Sequence, residues 1–387
     1  MNTGMNDPRQ PRMTRGTFLK GALAAGGSVL LGACGGSSGD SGGGGSTSTK
    51  AASHPPIGQE PGSLAILDYA GYESKPLWTS YRKEFPGKTP HWTFYNSDAE
   101  ALSKTLGGYR GDVSHPCSGY VKSWADADLI EPWDTSLLTN FKDLNPGLLK
   151  RGQVDGKQYQ IPSDWGYISL MYRPDKIDVD PSEVSWSMMF DSKKYPGRIT
   201  WYDNPADMLF IAGYVIGADD PFNMSDEELD AAKAKFIEAK PNVRNFWNSQ
   251  SGMQQDFASG NAWITYAWPS DWQQVSKKVK AEYSTPKEGR LAFDCGFSLF
   301  KGSKNYFHAH KYVDSWVSPE SGEWLLNNFA YGSSNTAVDL DKVPKSLVDA
   351  FSLKDPSIID DDTKVHVIRY NPRQAQYDKA WQEIKAA

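Results

Sequence analysis

The chain has 387 residues, enough for two domains of ordinary size, and its 13 % aromatic content, with 14 Trp, provides for a sizeable core. With 41 Lys and Arg against 47 Asp and Glu, the formal net charge is −6, which argues against nucleic acid and anionic lipid as partners. No apolar run approaches the roughly 18 residues of a membrane-spanning helix.

Arg9, Arg12, Arg15 and Lys20 lead into the short apolar stretch GALAAGGSVLL at 21–31, the pattern of a signal peptide over residues 1–33. Leu31-Gly32-Ala33-Cys34 resembles a bacterial lipobox, which implies a lipid on Cys34 after cleavage. An ordinary small-residue cleavage site with an incidental Cys is the alternative. Residues 14–20, TRGTFLK, resemble a twin-arginine export signal, but Gly16 stands at the second arginine position. Twin-arginine and general secretion therefore both stay open. Residues 34–59 then read as the lipidated Cys and a Gly/Ser tether that cannot form a core. These features describe an exported body leashed to the outer face of the cell membrane or held in the periplasm. Loss of residues 1–33 leaves 37 basic and 46 acidic side chains, a net of −9. That balance is compatible with a cationic ligand. Only Cys117 and Cys295 remain in the body. An exported protein meets disulfide-permissive conditions, so a bridge and two buried free thiols are both open.

Strands and helices alternate from 60 to 130. LAILDYA (64–70) reads as a strand, and KPLWTSYRKEF (75–85) as a helix with Leu77, Tyr81 and Phe85 on one stripe. HWTFY (91–95) is a strand, DAEALSKTLGG (98–108) a helix stopped by glycine, DVSHP (112–116) a short strand and GYVKSWADADLI (119–130) a helix. Such alternation predicts a parallel sheet covered by helices. Ligands then bind beyond the carboxyl ends of the strands, here the loops at 68–72, 96–97 and 116–119. A second unit follows, with strands ISLMYR (168–173), GRITWYD (197–203) and GNAWITY (260–266). Asn204-Pro205 opens a helix over 204–217. Ser225 and Glu228 form a capping box for 224–240. The last segment places Tyr377, Trp381 and Ile384 on one helical face.

From about residue 62 onward the chain resembles the spermidine/putrescine-binding family of bacterial extracellular solute-binding proteins, which serve ABC importers. Five stretches carry the resemblance in order. LDYAGY stands where the family commonly has Asn-Trp-x-x-Tyr, and Ile161-Pro162-Ser163-Asp164-Trp165-Gly166 is similar to its Ile-Pro-x-x-Trp-Gly. WYDNPADM (201–208) resembles an acidic loop opening a helix, AWPSDW (267–272) a Trp-x-x-Asp at an interlobe crossing, and TPKEG (285–289) a recurrent Pro-Lys-Glu-Gly. The resemblance implies an α/β, two-lobed periplasmic-binding-protein fold (type II-like), with an interlobe ligand cleft and hinge crossings. Lobe 1 would take 60–167 and 269–332, and lobe 2 would take 168–268 and 333–387.

It also implies a ligand site. A polyamine asks for a carboxylate near each ammonium, with charge-assisted hydrogen bonds fixing the nitrogens. Aromatic walls add about 0.5–2 kcal/mol each through cation–π attraction. Asp271 matches the family's ammonium-binding Asp, and Trp268 the adjacent wall. A turn acid capping its helix, and a packing tryptophan, are the plain structural alternatives. Asp207 matches a family carboxylate and is equally placed to act as a helix-capping partner. Tyr69 and Tyr72 match aromatic positions after the first strand. Cys117 and Ser118 fall in a loop where the family uses Ser. Tyr331 in FAYGSSN matches a family Tyr near the last crossing, or is a strand-end aromatic. One departure stands out: where some members place a cleft Asp, this chain has Cys295, with Asp294 one residue early. One residue along a strand flips the side chain to the other face. The cleft therefore either lacks that carboxylate or contains a bulge.

Catalytic signatures such as His-Glu-x-x-His, Gly-x-Ser-x-Gly or a phosphate loop are absent from the sequence. His308 and His310, two apart on a helix, point in roughly opposite directions, and no metal site or cofactor is expected. Asp360-Asp361-Asp362 reads as a solvated loop. Asp164-Trp165 fits cleft or interlobe core. The expectation is a non-enzymatic, monomeric, lipid-anchored receptor that takes a polyamine or related small cationic amine and hands it to an ABC permease. Its only membrane contact would be the lipid. The alternatives are the same fold serving another small solute (an amino acid derivative, quaternary amine or sugar), an exported enzyme, or a structural lipoprotein.

Overall fold

The computed structural model describes residues 54–387, apart from positions 355 and 362. The signal peptide, Cys34 and most of the tether lie outside the described residues. His54 packs through its ring nitrogens, which meet Ser303 O at 3.0 Å and Glu131 at 3.3 Å.

Ala65–Tyr69, His91–Tyr95 and Val113–Ser114 form parallel strands, joined by helical crossovers. The segment expected as one helix over 75–85 divides into a 3₁₀ turn, Lys75–Trp78, and a helix, Thr79–Glu84. The helix expected over 119–130 is Ser118–Asp126. Asp128 takes a left-handed conformation, φ 57°, which an L-residue cannot repeat along a helix. The chain leaves it as a strand, Ile130–Glu131.

The sheet is mixed and not purely parallel, because two long strands run antiparallel through its middle. Gln160–Tyr172 is buried at all thirteen positions, and Arg290–Phe300 pairs with it over residues 160–168. Beyond Ile168 the long strand changes partner. Residues 169–172 pair with Ile264–Ala267, which continues in parallel to Ile199–Tyr202 and then Asn245–Trp247. One strand thus belongs to both halves of the sheet. Pro162 is tolerated there because the register shifts at Cys295/Gly296, opposite it, so no ladder bond is demanded of the missing N–H.

In the second half the capping expectations hold. Asn204 Oδ1 accepts from Asp207 N at 3.2 Å at the start of Pro205–Ile216. Ser225 and Glu228 cap Asp226–Ala239 reciprocally. The last helix, Gln374–Ala386, buries Tyr377, Trp381 and Ile384 to 0, 1 and 0 % exposure. Trp165 belongs to a core cluster, with Nε1 donating to Ser333 O at 3.3 Å. A Cβ at Gly332 would lie 2.1 Å from its ring, so only glycine fits there. His308 and His310 take separate partners, Tyr81 Oη at 3.0 Å and the N–H of Asp134 at 3.1 Å.

A fully buried charge cluster ties the parallel strands of the first half to the long strand Gln160–Tyr172. His115 Nδ1 lies 2.8 Å from Asp68 Oδ1, and Nε2 lies 3.1 Å from Asp164 Oδ1. Burial opposes the charge on the imidazole, but the two carboxylates hold its pKa up at about 10. Ser163 Oγ donates to Asp164 Oδ1 at 2.5 Å, and Tyr72 Oη to Oδ2 at 2.8 Å. A second tie is covalent: Cys117 and Cys295 form a disulfide across a separation of 178 residues.

Two stability outcomes follow from these ties. His115→Gln leaves two buried carboxylates without their cation and is expected to cost roughly 3–5 kcal/mol in urea unfolding at pH 7. A loss under about 1 kcal/mol would show the cluster to be uncharged. The raised pKa of His115 means this contribution is complete below its ordinary value near 6.5 and fades as pH rises through about 10. Reducing the disulfide with dithiothreitol is expected to lower stability by up to about 5 kcal/mol, the loop-closure entropy of so long a loop. An unchanged urea midpoint would contradict that.

Candidate functional site

A cavity of about 950 Å³ opens at the strand ends. Its position is the one expected for ligands of such sheets. The turn after the first strand supplies two rings. Gly71, at φ 107°, turns the chain so that Tyr69 and Tyr72 both line the cavity. Tyr69 stacks near Tyr95 at 4.3 Å, and Tyr72 lies parallel to Phe329 at 5.6 Å. Phe293 and Tyr331 meet edge to face at 5.0 Å on the same wall. The opposite wall carries Tyr202, Trp247 and Trp268, each ring within 6 Å of another.

The polar groups include five acids, Asp98, Glu100, Asp203, Asp207 and Asp378, among neutral amides and hydroxyls. Asp207, at the third position of its helix, lines the cavity and accepts the hydroxyl of Tyr266 at 2.6 Å. Asp98, in the first turn of Asp98–Leu106, also lines it. Asp98 Oδ2 accepts from Tyr69 Oη at 3.0 Å, and Oδ1 accepts from Cys117 N at 2.9 Å. Burial raises both carboxyl pKa values to about 6, and the charge of Asp98 adds to the rise at Asp207. Neither carboxylate has an ion-pair partner among the described residues. Lys104, the sole basic residue in the lining, is already paired with Glu100. The hydroxyl protons of Tyr69 and Tyr72 are committed to Asp98 and Asp164. Their oxygens therefore offer lone pairs to the cavity. The charged groups of the lining are thus mostly acids, beside neutral amides and hydroxyls that can donate as well as accept.

Of the expected site residues, the structure gathers Tyr69, Tyr72, Cys117, Asp207, Trp268 and Tyr331 around this cavity. Two do not reach its wall. Asp271 is fully buried at the third position of Pro269–Val275, where its carboxylate turns back to accept the N–H of Trp268 at 3.0 Å and the amide of Gln254 at 2.8 Å. It props the tryptophan from behind. Ser118 Oγ donates to Asp294 Oδ1 at 2.5 Å, away from the lining. Strand alternation explains Asp294: Phe293 and Cys295 face the cavity, and the acid between them points to Ser118 and toward Arg151 Nε at 3.7 Å. The register shift lies after Cys295, so it does not restore the acid to the cavity. The disulfide forms part of the wall instead.

Sequence reading passed over Asp98, Tyr95, Tyr202, Trp247, Phe293 and Phe329. A signal existed for Asp98: it follows directly on the loop at 96–97, which the strand pattern already marked as a ligand-facing turn.

The family described as bacterial extracellular solute-binding protein matches residues 93–352. The putrescine-binding periplasmic protein SpuD of Pseudomonas aeruginosa is 26 % identical over 292 residues, which is 71 % of this chain and 78 % of the relative. Among solved structures, the TpPotD lipoprotein of Treponema pallidum superposes with a TM-score of 0.69 at 17 % identity, covering 83 % of this chain and 99 % of its own. MotA of A. tumefaciens, solved with glucopine, gives 0.65 at 18 % identity over 84 % and 99 %. These likenesses show the fold, that of two-lobed periplasmic binding proteins with a cleft between α/β lobes. Family and fold are those of solute-binding receptors, and this chain belongs to the bacterial extracellular solute-binding protein family.

Proposed function

We propose that the protein is an exported, lipid-anchored receptor of an ABC importer that binds a polyamine or related small cationic amine without turning it over. One observation carries this reading: Asp207 faces an aromatic cavity and has no ion-pair partner among the described residues. A buried carboxylate in that state invites an external ammonium. The rings of Tyr202, Trp247 and Trp268 beside it suit the methylene chain and the cation alike. The lining disfavours anions, because Lys104, its one basic residue, is paired with Glu100. The putrescine-binding relative agrees with an amine, although MotA, solved with glucopine, carries a solute of another class on this fold. In this reading the lobes are 60–167 with 269–332 and 168–268 with 333–387, and Cys34 carries the lipid. Closure around the ligand presents the loaded form to a permease, which must favour it over the open form.

A thermal-shift screen of the tether-free body tests the reading, since a ligand that binds only the folded chain raises Tm. Putrescine, spermidine or a related amine is expected to raise Tm. A shift confined to sugars or anions would overturn the amine assignment and leave the receptor fold. Asp207→Asn keeps an acceptor for Tyr266 and is expected to weaken amine binding by roughly tenfold or more. Unchanged affinity would remove Asp207 from the site.

The raised carboxyl pKa values give a pH test with a definite sign. The empty folded protein holds the protons of Asp98 and Asp207 more tightly than the unfolded chain does. It therefore gains stability as pH falls through about 6. An ammonium ligand needs these groups ionised and must displace the protons. The ligand-induced Tm shift is expected to be full at pH 7.5 and to shrink toward pH 5. Equal shifts at both would show that neither carboxylate engages the amine.

A further inference from the structure

Asp98 is a further cavity carboxylate with no ion-pair partner among the described residues. It is 9 % exposed, and its two oxygens accept one hydrogen bond each, from Tyr69 Oη and from Cys117 N. A carboxylate oxygen has room for a further donor, and Asp98 lines the cavity. Its position is rigid. The donor N–H belongs to Cys117, which the disulfide fixes to the strand Arg290–Phe300. The helix that Asp98 opens has Ser97 as its cap, accepting from Glu100 N at 3.2 Å. The helix dipole favours negative charge at this end. Asp98 comes from the first half of the sheet and Asp207 from the second, and both line one cavity.

Resting on the amine reading above, we propose that Asp98 is a second cation anchor, so that the cavity is matched to a dication with one ammonium at Asp98 and Tyr69 and the other at Asp207. A monoamine satisfies one carboxylate and leaves the other buried and unpaired, which is costly. An ω-amino acid brings a second negative charge to the unoccupied end and is repelled. The aromatic wall between the anchors accepts any methylene chain of suitable length, so the two acids set both the charge count and the span of the ligand.

Calorimetric titration of the mature protein at pH 7.5 decides the matter, using 1,4-diaminobutane, butylamine and 4-aminobutanoate as probes. Wild type is expected to prefer the diamine over the monoamine by about 100-fold. Asp98→Asn removes the charge and keeps an acceptor for one of its two donors. It is expected to cost the diamine at least about tenfold while leaving butylamine within about threefold, so that the preference collapses. An Asp98→Asn protein that keeps both diamine affinity and preference would reduce Asp98 to a helix-start residue and overturn the inference, with the amine receptor intact. Wild type that binds no amine would overturn both. Asp98→Glu is an independent check: its longer arm is expected to move the best ligand from the wild-type optimum to a shorter diamine within the series of three to five carbons. An unchanged length optimum would also count against Asp98.

Discussion

The cavity depends on one imidazolium held between two buried carboxylates. Asp68 ends the first strand, His115 follows the third, and Asp164 sits inside the long strand that both halves of the sheet share. Burying three charges is expensive, and only an arrangement that places all three together recovers the cost. The parallel strands are therefore held in one register against the antiparallel pair. Tyr72, bonded to Asp164, inherits that register and carries it to the cavity wall.

The second half of the site rests on helix starts. Asp207 and Asp98 each stand in the first turn of a helix whose cap is satisfied by a neighbouring Asn or Ser. Asp271 stands in the same kind of position, yet its carboxylate is used up on its own helix start. What separates the three is not the residue type or the local pattern but what lies opposite. Tyrosine hydroxyls meet Asp98 and Asp207 and leave a side open, whereas Gln254 closes off Asp271.

That difference marks how much the sequence could tell. Local signals were legible: the parallel strands, the Asn204 and Ser225 caps, the buried face of the last helix, and the aromatic turn at 69–72. The stretch Gln160–Trp165 was not read as strand, because Pro162, Ser163 and Asp164 break the apolar pattern. Its polar groups are satisfied by residues far away in the chain, His115 and Tyr72 among them. The one-residue displacement of Asp294 was visible, and its consequence followed from strand alternation. Its replacement on the cavity wall by a different acid, from a helix nearly 200 residues earlier, was not, since only tertiary packing brings Asp98 beside Cys117. The sizeable core expected from the aromatic content is there, with Trp124, Trp165, Trp186, Trp201, Trp316 and Trp381 buried in it.

The disulfide in the cavity wall also sets an order of assembly. Its two sulfurs are separated by almost half the chain, so the bond can close only after both ends have been made and the late strand has docked beside the early one. Thiols stay reduced in the cytoplasm and pair in oxidising compartments. For a receptor that works outside, the wall is then unfinished wherever the chain is synthesised and complete only where the solute is to be captured.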